Sequence, residues 1–266
     1  MTEALVDFHN HLIPSVDDGS QTIQQSLDAL ATMRDQGIRT IITTPHFRAS
    51  LLARAAECDE YFARLEKGWL ELLSTASREF PEIRLERGVE LMLDSPHVSI
   101  ADKRLRLAGG RFVLVEFPHL TIPPNSTRPL FDLKIAGLTP VIGHPERYHN
   151  VEDDLADLKE WKRLGAVLQV NTGSLLGEYG DRPRKIGWSC IRHGLADYLS
   201  SDFHARGDCT VSRAVKLLDS KALASQRKLL TETNGLRLLA GNDPLPVPPP
   251  EQRSPGRFAR FFRRKK

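Results

Sequence analysis

The chain has 266 residues, of which 40% are apolar and 27% charged, the balance of an ordinary globular protein long enough for one sizeable core. No apolar stretch approaches the roughly 20 residues of a membrane span, and Met1 to Val6 lacks the basic and long apolar regions of a signal peptide, so a cytoplasmic protein is expected. The formal charge of +3 divides into −3 over residues 1–250 and +6 from Glu251 onward, which speaks against a nucleic-acid-binding body.

Strands and helices alternate along the chain. Short runs rich in Val, Ile and Leu predict strands at Leu5 to His9, Arg39 to Thr44, Ile83 to Glu90, Arg111 to Phe117, Thr139 to His144, Ala166 to Asn171 and Tyr198 to Asp202. Between them, Thr22 to Gln36 carries Ile23, Leu27, Leu30 and Met33 on one helical face and stops at Gly37. Arg54 to Ser77 repeats Phe62, Leu65, Trp69 and Leu72 at spacings of three and four; Asp154 to Leu164, Arg184 to His193 and Val211 to Leu218 complete the rhythm. A strand-then-helix repeat implies a parallel sheet with helices outside. Seven such strands suggest a barrel, with an open doubly wound sheet as the competing architecture. One folded unit is expected over residues 1–243, followed by a proline-rich linker at 244–256 and a basic aromatic tail at 257–266. In that tail Phe258, Phe261 and Phe262 fall at helical spacing among arginines, a pattern suited to peripheral contact with an anionic membrane surface; a disordered solubilising tail is the plainer reading.

Almost every predicted strand has a histidine or a carboxylate at its end or within two residues of it. The clusters are Asp7-Phe8-His9-Asn10-His11, Asp17-Asp18, Thr44-Pro45-His46, Gly88-Val89-Glu90, Val115-Glu116, Gly143-His144-Pro145-Glu146-Arg147 and Ser201-Asp202-Phe203-His204. In a parallel arrangement the carboxyl ends converge on one face, which gathers these groups into one site. Imidazole with carboxylate is the ligand set of Mn, Fe or Zn, and the number of groups exceeds what one ion needs. His97, His119, His149 and His193 lack that context and are expected at the surface or at helix ends. Arg147 should overhang the metal face, where its planar donor fork suits a phosphate dianion; Arg206 is placed similarly. Metal ions with a cationic clamp suggest phosphoester hydrolysis, with Asp202 or a histidine able to supply the leaving-group proton.

Residues Asp7 to Gly19 resemble the signature of the polymerase and histidinol phosphatase (PHP) superfamily. More closely, with Thr44-Pro45-His46, Gly143 to Tyr148, Leu168 to Leu175 and Ser201 to His204 in order, they resemble the bacterial manganese-dependent protein-tyrosine phosphatases of capsule and exopolysaccharide clusters. The resemblance covers roughly residues 5 to 240. It implies a distorted (β/α)7 barrel with a centre of two or three ions. On that pattern His9, His11, Glu90 and Asp202 hold one ion, Glu90, Glu116 and His144 surround a second, and His46, His204 and either Asp17 or Asp18 hold the third. It further implies a phosphotyrosine protein as substrate, the tail of a membrane-bound bacterial tyrosine autokinase. A small-molecule phosphatase of the histidinol-phosphate type and a low-turnover regulatory partner of a polysaccharide assembly complex are the alternatives.

Cys58 and Arg64 have the Cys-x5-Arg spacing of cysteine-dependent phosphatases, but the intervening Asp-Glu-Tyr-Phe-Ala offers no glycine loop and places two acids beside the thiol. Cys58, Cys190 and Cys209 are read as reduced thiols.

Overall fold

A computed structural model describes residues 4–95 and 102–251. His97 and the tail from residue 252 lie outside the described residues.

The first unit runs β1 (Leu5–Asp7), α1 (Ile23–Asp35), β2 (Ile38–Thr43) and β3 (His46–Arg48). Then come α2 (Ala55–Glu79), β4 (Arg84–Arg87), β5 (Glu90–Met92), β6 (Phe112–Glu116), α3 (Thr127–Ile135) and β7 (Thr139–Gly143). The chain continues with α4 (Ala156–Arg163), β8 (Val167–Asn171), α5 (Thr172–Leu176), α6 (Asp181–Arg192) and β9 (Tyr198–Ser200), then α7 (Val211–Ser220), α8 (Ala224–Lys228) and α9 (Asn234–Leu239). Among the described residues no helix is long and apolar enough to cross a membrane.

Helix α1 begins where the Thr22 hydroxyl accepts a hydrogen bond from Gln25 N at 3.2 Å, and Gly37, at φ +88°, turns the chain out of it. Its buried face is Leu27, Leu30 and Met33; α2 buries Phe62, Leu65, Trp69 and Leu72 in the same way.

Among the described residues all strand pairings are parallel, in the orders β1-β2-β4 and β3-β5-β6-β7-β8-β9. The predicted strand Ile83 to Glu90 is interrupted, and the one ending at Thr44 is followed by a further short strand that was not expected. Thr44-Pro45 separates β2 from β3, because Pro45 has no N–H to continue a ladder, and Gly88-Val89 separates β4 from β5. Hydrogen bonds bridge both breaks, from Gly88 N to Thr43 O at 2.9 Å and from Glu90 N to Pro45 O at 3.0 Å. The chain after β1 meets the chain after β9 through a parallel bridge between Asn10 and Phe203, with His11 N to Phe203 O and Asp202 N to His9 O each 2.8 Å.

Successive strand residues face opposite ways, and they divide between two apolar clusters. The larger packs Val113, Val115, Ile142, Leu168 and Val170 with helical residues such as Leu65, Leu130, Trp161 and Ile191. The smaller contains Phe8, Ile42, Phe112, Leu114, Val141, Val167 and Tyr198. By the same period of two, the face that carries Phe112 and Leu114 reaches Glu116, and the face that carries Val167 reaches Gln169 and Asn171. The polar site therefore caps the smaller cluster.

Helix α3 was not expected, and between β5 and β6 only short 3₁₀ turns occur, at Lys103–Leu105 and Leu107–Gly109, among the described residues. The proline-rich stretch, as far as it is described, lies against the fold. Val247 is buried, and Asn234 holds Leu245 by a pair of hydrogen bonds of 2.8 and 3.0 Å.

Candidate metal centre

The histidines and carboxylates at the strand ends meet in one cluster. His9, His11, Glu90 and Asp202 each place a ligand atom within 4.8 Å of the others; so do His11, Asp18, His46 and His204, and so do His46, Glu90 and Glu116. His144 borders the last group, its Nε2 lying 2.8 Å from Glu90 Oε1 and 3.7 Å from Glu116 Oε2. Glu90 is fully buried at the centre of the array. Gly143 packs closely under the cluster: a Cβ there would lie 3.3 Å from Glu90 Oε1 and 3.5 Å from the His9 ring.

Neighbouring groups fix which ring nitrogen is available. His9 Nδ1 donates to Gln169 Oε1 at 2.8 Å, so Nε2 faces Glu90 at 3.1 Å and Asp202 at 3.4 Å. His11 Nδ1 donates to Asp17 Oδ2 at 2.6 Å, and its Nε2 looks to Asp202 and Glu90 at 3.4 and 3.6 Å. His204 Nδ1 is bound to the carbonyl of Asp202 at 2.9 Å, leaving Nε2 3.3 Å from Asp18. His46 faces two ways, Nδ1 toward Glu90 and Glu116 at 3.0 and 3.3 Å and Nε2 toward Asp18 at 3.5 Å.

This geometry separates the two aspartates that the sequence left together. The Asp17 carboxylate is taken up by His11 Nδ1, by His46 N at 2.9 Å and by Gly19 N at 3.0 Å. It orients the cluster from behind, whereas Asp18 stands beside His46 and His204. His46 lies with Asp18 and His204, as expected, and also with Glu90 and Glu116, so it borders two of the groups.

Two residues of the array sit in strained backbone. His144 at φ +37° and Asp202 at φ +57° occupy the left-handed region, one residue after β7 and two after β9. Asp7, fully buried, braces the N-terminal turn by accepting from His9 N, Ser201 N and Asn10 Nδ2.

The electrostatics match a cation site. Burial alone would depress the His9 imidazole, but Glu90 and Asp202 raise it to about 10; His46, likewise opposed by burial, is raised to about 12 by Glu116 and Glu90. Against the same burial, the imidazoles hold Glu90 and Asp202 well below the usual carboxylate range. His9 Nε2, His11 Nε2, His46 Nδ1, Glu90 Oε2 and Glu116 Oε1 are buried and lack a hydrogen bond of good geometry. Buried polar atoms without partners are costly. Divalent cations among these nitrogens and oxygens would satisfy them, so the residues present fit a multinuclear metal site.

Above the cluster opens a cleft of about 340 Å³ bordered by Asp18, Arg147, Tyr179, Asp202, His204 and Arg206. Arg147 Nη1 donates to Asp202 Oδ2 at 2.6 Å, and its guanidinium lies 4.3 Å from the centre of the Tyr179 ring. Arg206 reaches Asp18 at 3.3 Å from a mostly exposed position at the rim.

Sequence reasoning missed Gln169 and Asn171. Gln169 Nε2 donates to Asn171 Oδ1 at 2.9 Å, and Asn171 Nδ2 donates to Asp202 Oδ2 at 2.8 Å, so one pair of buried amides on β8 orients both His9 and Asp202. The available signal was their alternation with Leu168 and Val170. Tyr179 was also missed. His119, His149 and His193 are exposed and stand apart from the cluster. Cys58 is a buried residue within α2, with no phosphate loop around it, and Arg64 instead stacks on Tyr61.

A parallel α/β scaffold whose strand ends assemble imidazoles and carboxylates around shared points defines an α/β protein with a cluster of side chains able to hold metal ions. The chain belongs to the capsular polysaccharide synthesis CpsB/CapC family, which it matches over residues 5–240. It is 29% identical over 205 residues to the tyrosine-protein phosphatase YwqE of Bacillus subtilis, covering 75% of this chain and 77% of the relative. Among solved structures, those of YwqE from Bacillus subtilis and CpsB from Streptococcus pneumoniae, described as unique metal-dependent tyrosine phosphatases, include a chain that superposes with a TM-score of 0.76. That match is 25% identical and covers 93% of this chain and all of the other. A variant organophosphorus hydrolase from Deinococcus radiodurans, 14% identical, shares the fold at a TM-score of 0.52, covering 90% and 93% of the two chains.

Proposed function

We propose that this chain is a metal-dependent protein-tyrosine phosphatase that hydrolyses phosphotyrosine on a bacterial tyrosine kinase controlling capsule or exopolysaccharide synthesis. The observation that carries the reading is the buried cluster of unpartnered imidazole and carboxylate atoms beneath a cleft walled by Arg147. Membership of the capsule-synthesis family and likeness to tyrosine phosphatases support it. His9, His11, Glu90 and Asp202 would hold one ion, Glu90 and Glu116 with His46 or His144 a second, and Asp18, His46 and His204 a third; Mn2+ is the proposed metal. Ions held there would supply Lewis acidity toward a phosphate oxygen and lower the pKa of a water.

The chain's own residues do the rest. Arg147, pinned by Asp202 and stacked on Tyr179, offers donors to the phosphoryl oxygens, and Arg206 adds positive charge at the rim. Tyrosyl oxygen leaves as a phenolate and needs little protonation, so no dedicated acid is required. The bridge between Asn10 and Phe203 supports a distorted seven-stranded (β/α)7 barrel, each interrupted strand counted once. We place the enzyme in the cytoplasm, with its substrate at the inner membrane face.

The test is a substrate panel. Manganese-loaded protein should hydrolyse a phosphotyrosine peptide at least tenfold more efficiently than histidinol phosphate, and a chelator should abolish both activities. Preference for histidinol phosphate would transfer the protein to the small-molecule class. Inactivity of the manganese-loaded protein on both would favour a regulatory role.

A further inference from the structure

The open space over the metal centre does not end at Arg147. The Arg147 and Tyr179 pair divides the first cleft from a second of about 360 Å³, which both residues also line and which is otherwise bordered by Leu120, Tyr148, Arg182 and Pro183. Its two arginines are engaged elsewhere, Arg147 by Asp202 and Arg182 by the carbonyls of His149 and Val151. The buried Glu146 and the exposed His149 also line it, so its polar groups are mixed in sign while Leu120, Pro183 and the Tyr148 and Tyr179 rings supply apolar wall.

Leu120 is presented to this cleft at some cost. His119 and Leu120 stand at φ +56° and +47°, consecutive non-glycine residues in the left-handed region, where Asn or Gly would sit with less strain. The turn is held by a set of cross-loop bonds. Leu120 O accepts from His149 N at 2.8 Å, and Asn150 brackets Ile122 through bonds of 2.9 and 3.0 Å. Strain sustained by so many constraints is the kind found at ligand contacts.

We propose that this second cleft is a subsite for an apolar side chain flanking the phosphotyrosine of a peptide substrate. The inference rests on the phosphatase reading above and deepens it. A phosphate held at Arg147 puts the neighbouring residues of the peptide beside Tyr179, within reach of Leu120 and Pro183. The enzyme would then distinguish its peptide by a hydrophobic neighbour as well as by the phosphate.

The experiment uses full-length, manganese-loaded protein and pairs of phosphotyrosine peptides that differ only by Leu or Asp, scanned over the two positions on each side of the phosphotyrosine. At one position or more the Leu peptide should be favoured by roughly tenfold in kcat/KM, mostly through KM. In Leu120→Asn, which suits the backbone and removes the apolar body, that ratio should fall toward one. Both peptides are measured on the same preparation, so metal loading and folding cancel. Pro183→Ser provides a second variant should Leu120→Asn not fold. Hydrolysis with a flat ratio at every position in the parent, or a ratio retained in the folded variants, overturns the subsite alone. No turnover of any peptide or of p-nitrophenyl phosphate overturns the phosphatase reading and the subsite with it.

Discussion

Gln169 provides a sharp test of how the metal centre is built, because it touches none of the groups expected around the phosphate. Its amide accepts from His9 Nδ1 at 2.8 Å and donates to Asn171 at 2.9 Å, and all three side chains are buried. Gln169→Leu, close in volume, leaves two buried polar groups without partners. At about 1–3 kcal/mol for each orphaned group, offset by about 1 kcal/mol of added apolar burial, the metal-free protein should lose roughly 1–5 kcal/mol. Release of the His9 ring and of Asn171, which steadies Asp202, should weaken Mn2+ binding by about 10- to 100-fold, or roughly 1.4–2.7 kcal/mol. Gln169→Glu keeps an acceptor for His9 and should fall between the two. Calorimetric titration of the metal-free protein with Mn2+, paired with urea unfolding, reads both effects. A folded Gln169→Leu protein whose Mn2+ affinity lies within twofold of the parent would refute the orienting role of the β8 amides.

Three further outcomes follow from particular contacts. A methyl group at Gly19 would lie 2.1 Å from His11 O, so Gly19→Ala should displace the His11 loop and abolish Mn2+ binding and turnover, as calorimetry and a phosphotyrosine assay would show; parental affinity would contradict the packing. Burial raises the thiols of Cys58, Cys190 and Cys209, the last to about 12, so alkylating reagents at pH 8 should leave activity unchanged, and Cys58→Ser should match the parent. In metal-free protein the raised His9 contributes stability that is complete below its unfolded value of 6.5 and lost as pH rises through about 10. The depressed Glu90 and Asp202 contribute stability that is present above about 4 and lost on acidification. Unfolding free energy of the metal-free form should therefore fall between pH 7 and 10. Mn2+ affinity should rise over the same interval, because imidazole must lose its proton to ligate, and a flat affinity would contradict this.

Much of this molecule can be read in its sequence because parallel strands deliver their polar residues to one end. His9, Glu116, His144 and Asp202 each follow an apolar run, so the positions that converge are visible in the sequence itself. Helix α1 was equally legible, since Thr22, the Leu27-Leu30-Met33 stripe and Gly37 mark its start, face and stop. Other features have a weak local signature or none. Gln169 and Asn171 are neutral amides inside a strand, and only the tertiary pairing with His9 and Asp202 gives them a task. The division of labour between Asp17 and Asp18 depends on which carboxylate meets His11 Nδ1 across a turn, which spacing does not encode. Helix α3 hid because Pro129 sits in its first turn and Phe131 and Ile135 face solvent, blurring the amphipathic pattern.

The central claim is that the buried imidazoles and carboxylates serve metal-dependent cleavage of phosphotyrosine. The most direct measurement titrates Mn2+ into chelator-treated protein while following phosphate release from a phosphotyrosine peptide, for the parent and for a His9→Ala, His11→Ala variant. Activity should appear in the parent as the sites fill and remain absent in the variant at every metal concentration. Equal activity in the two proteins, or turnover in the parent before any metal is added, would contradict the account.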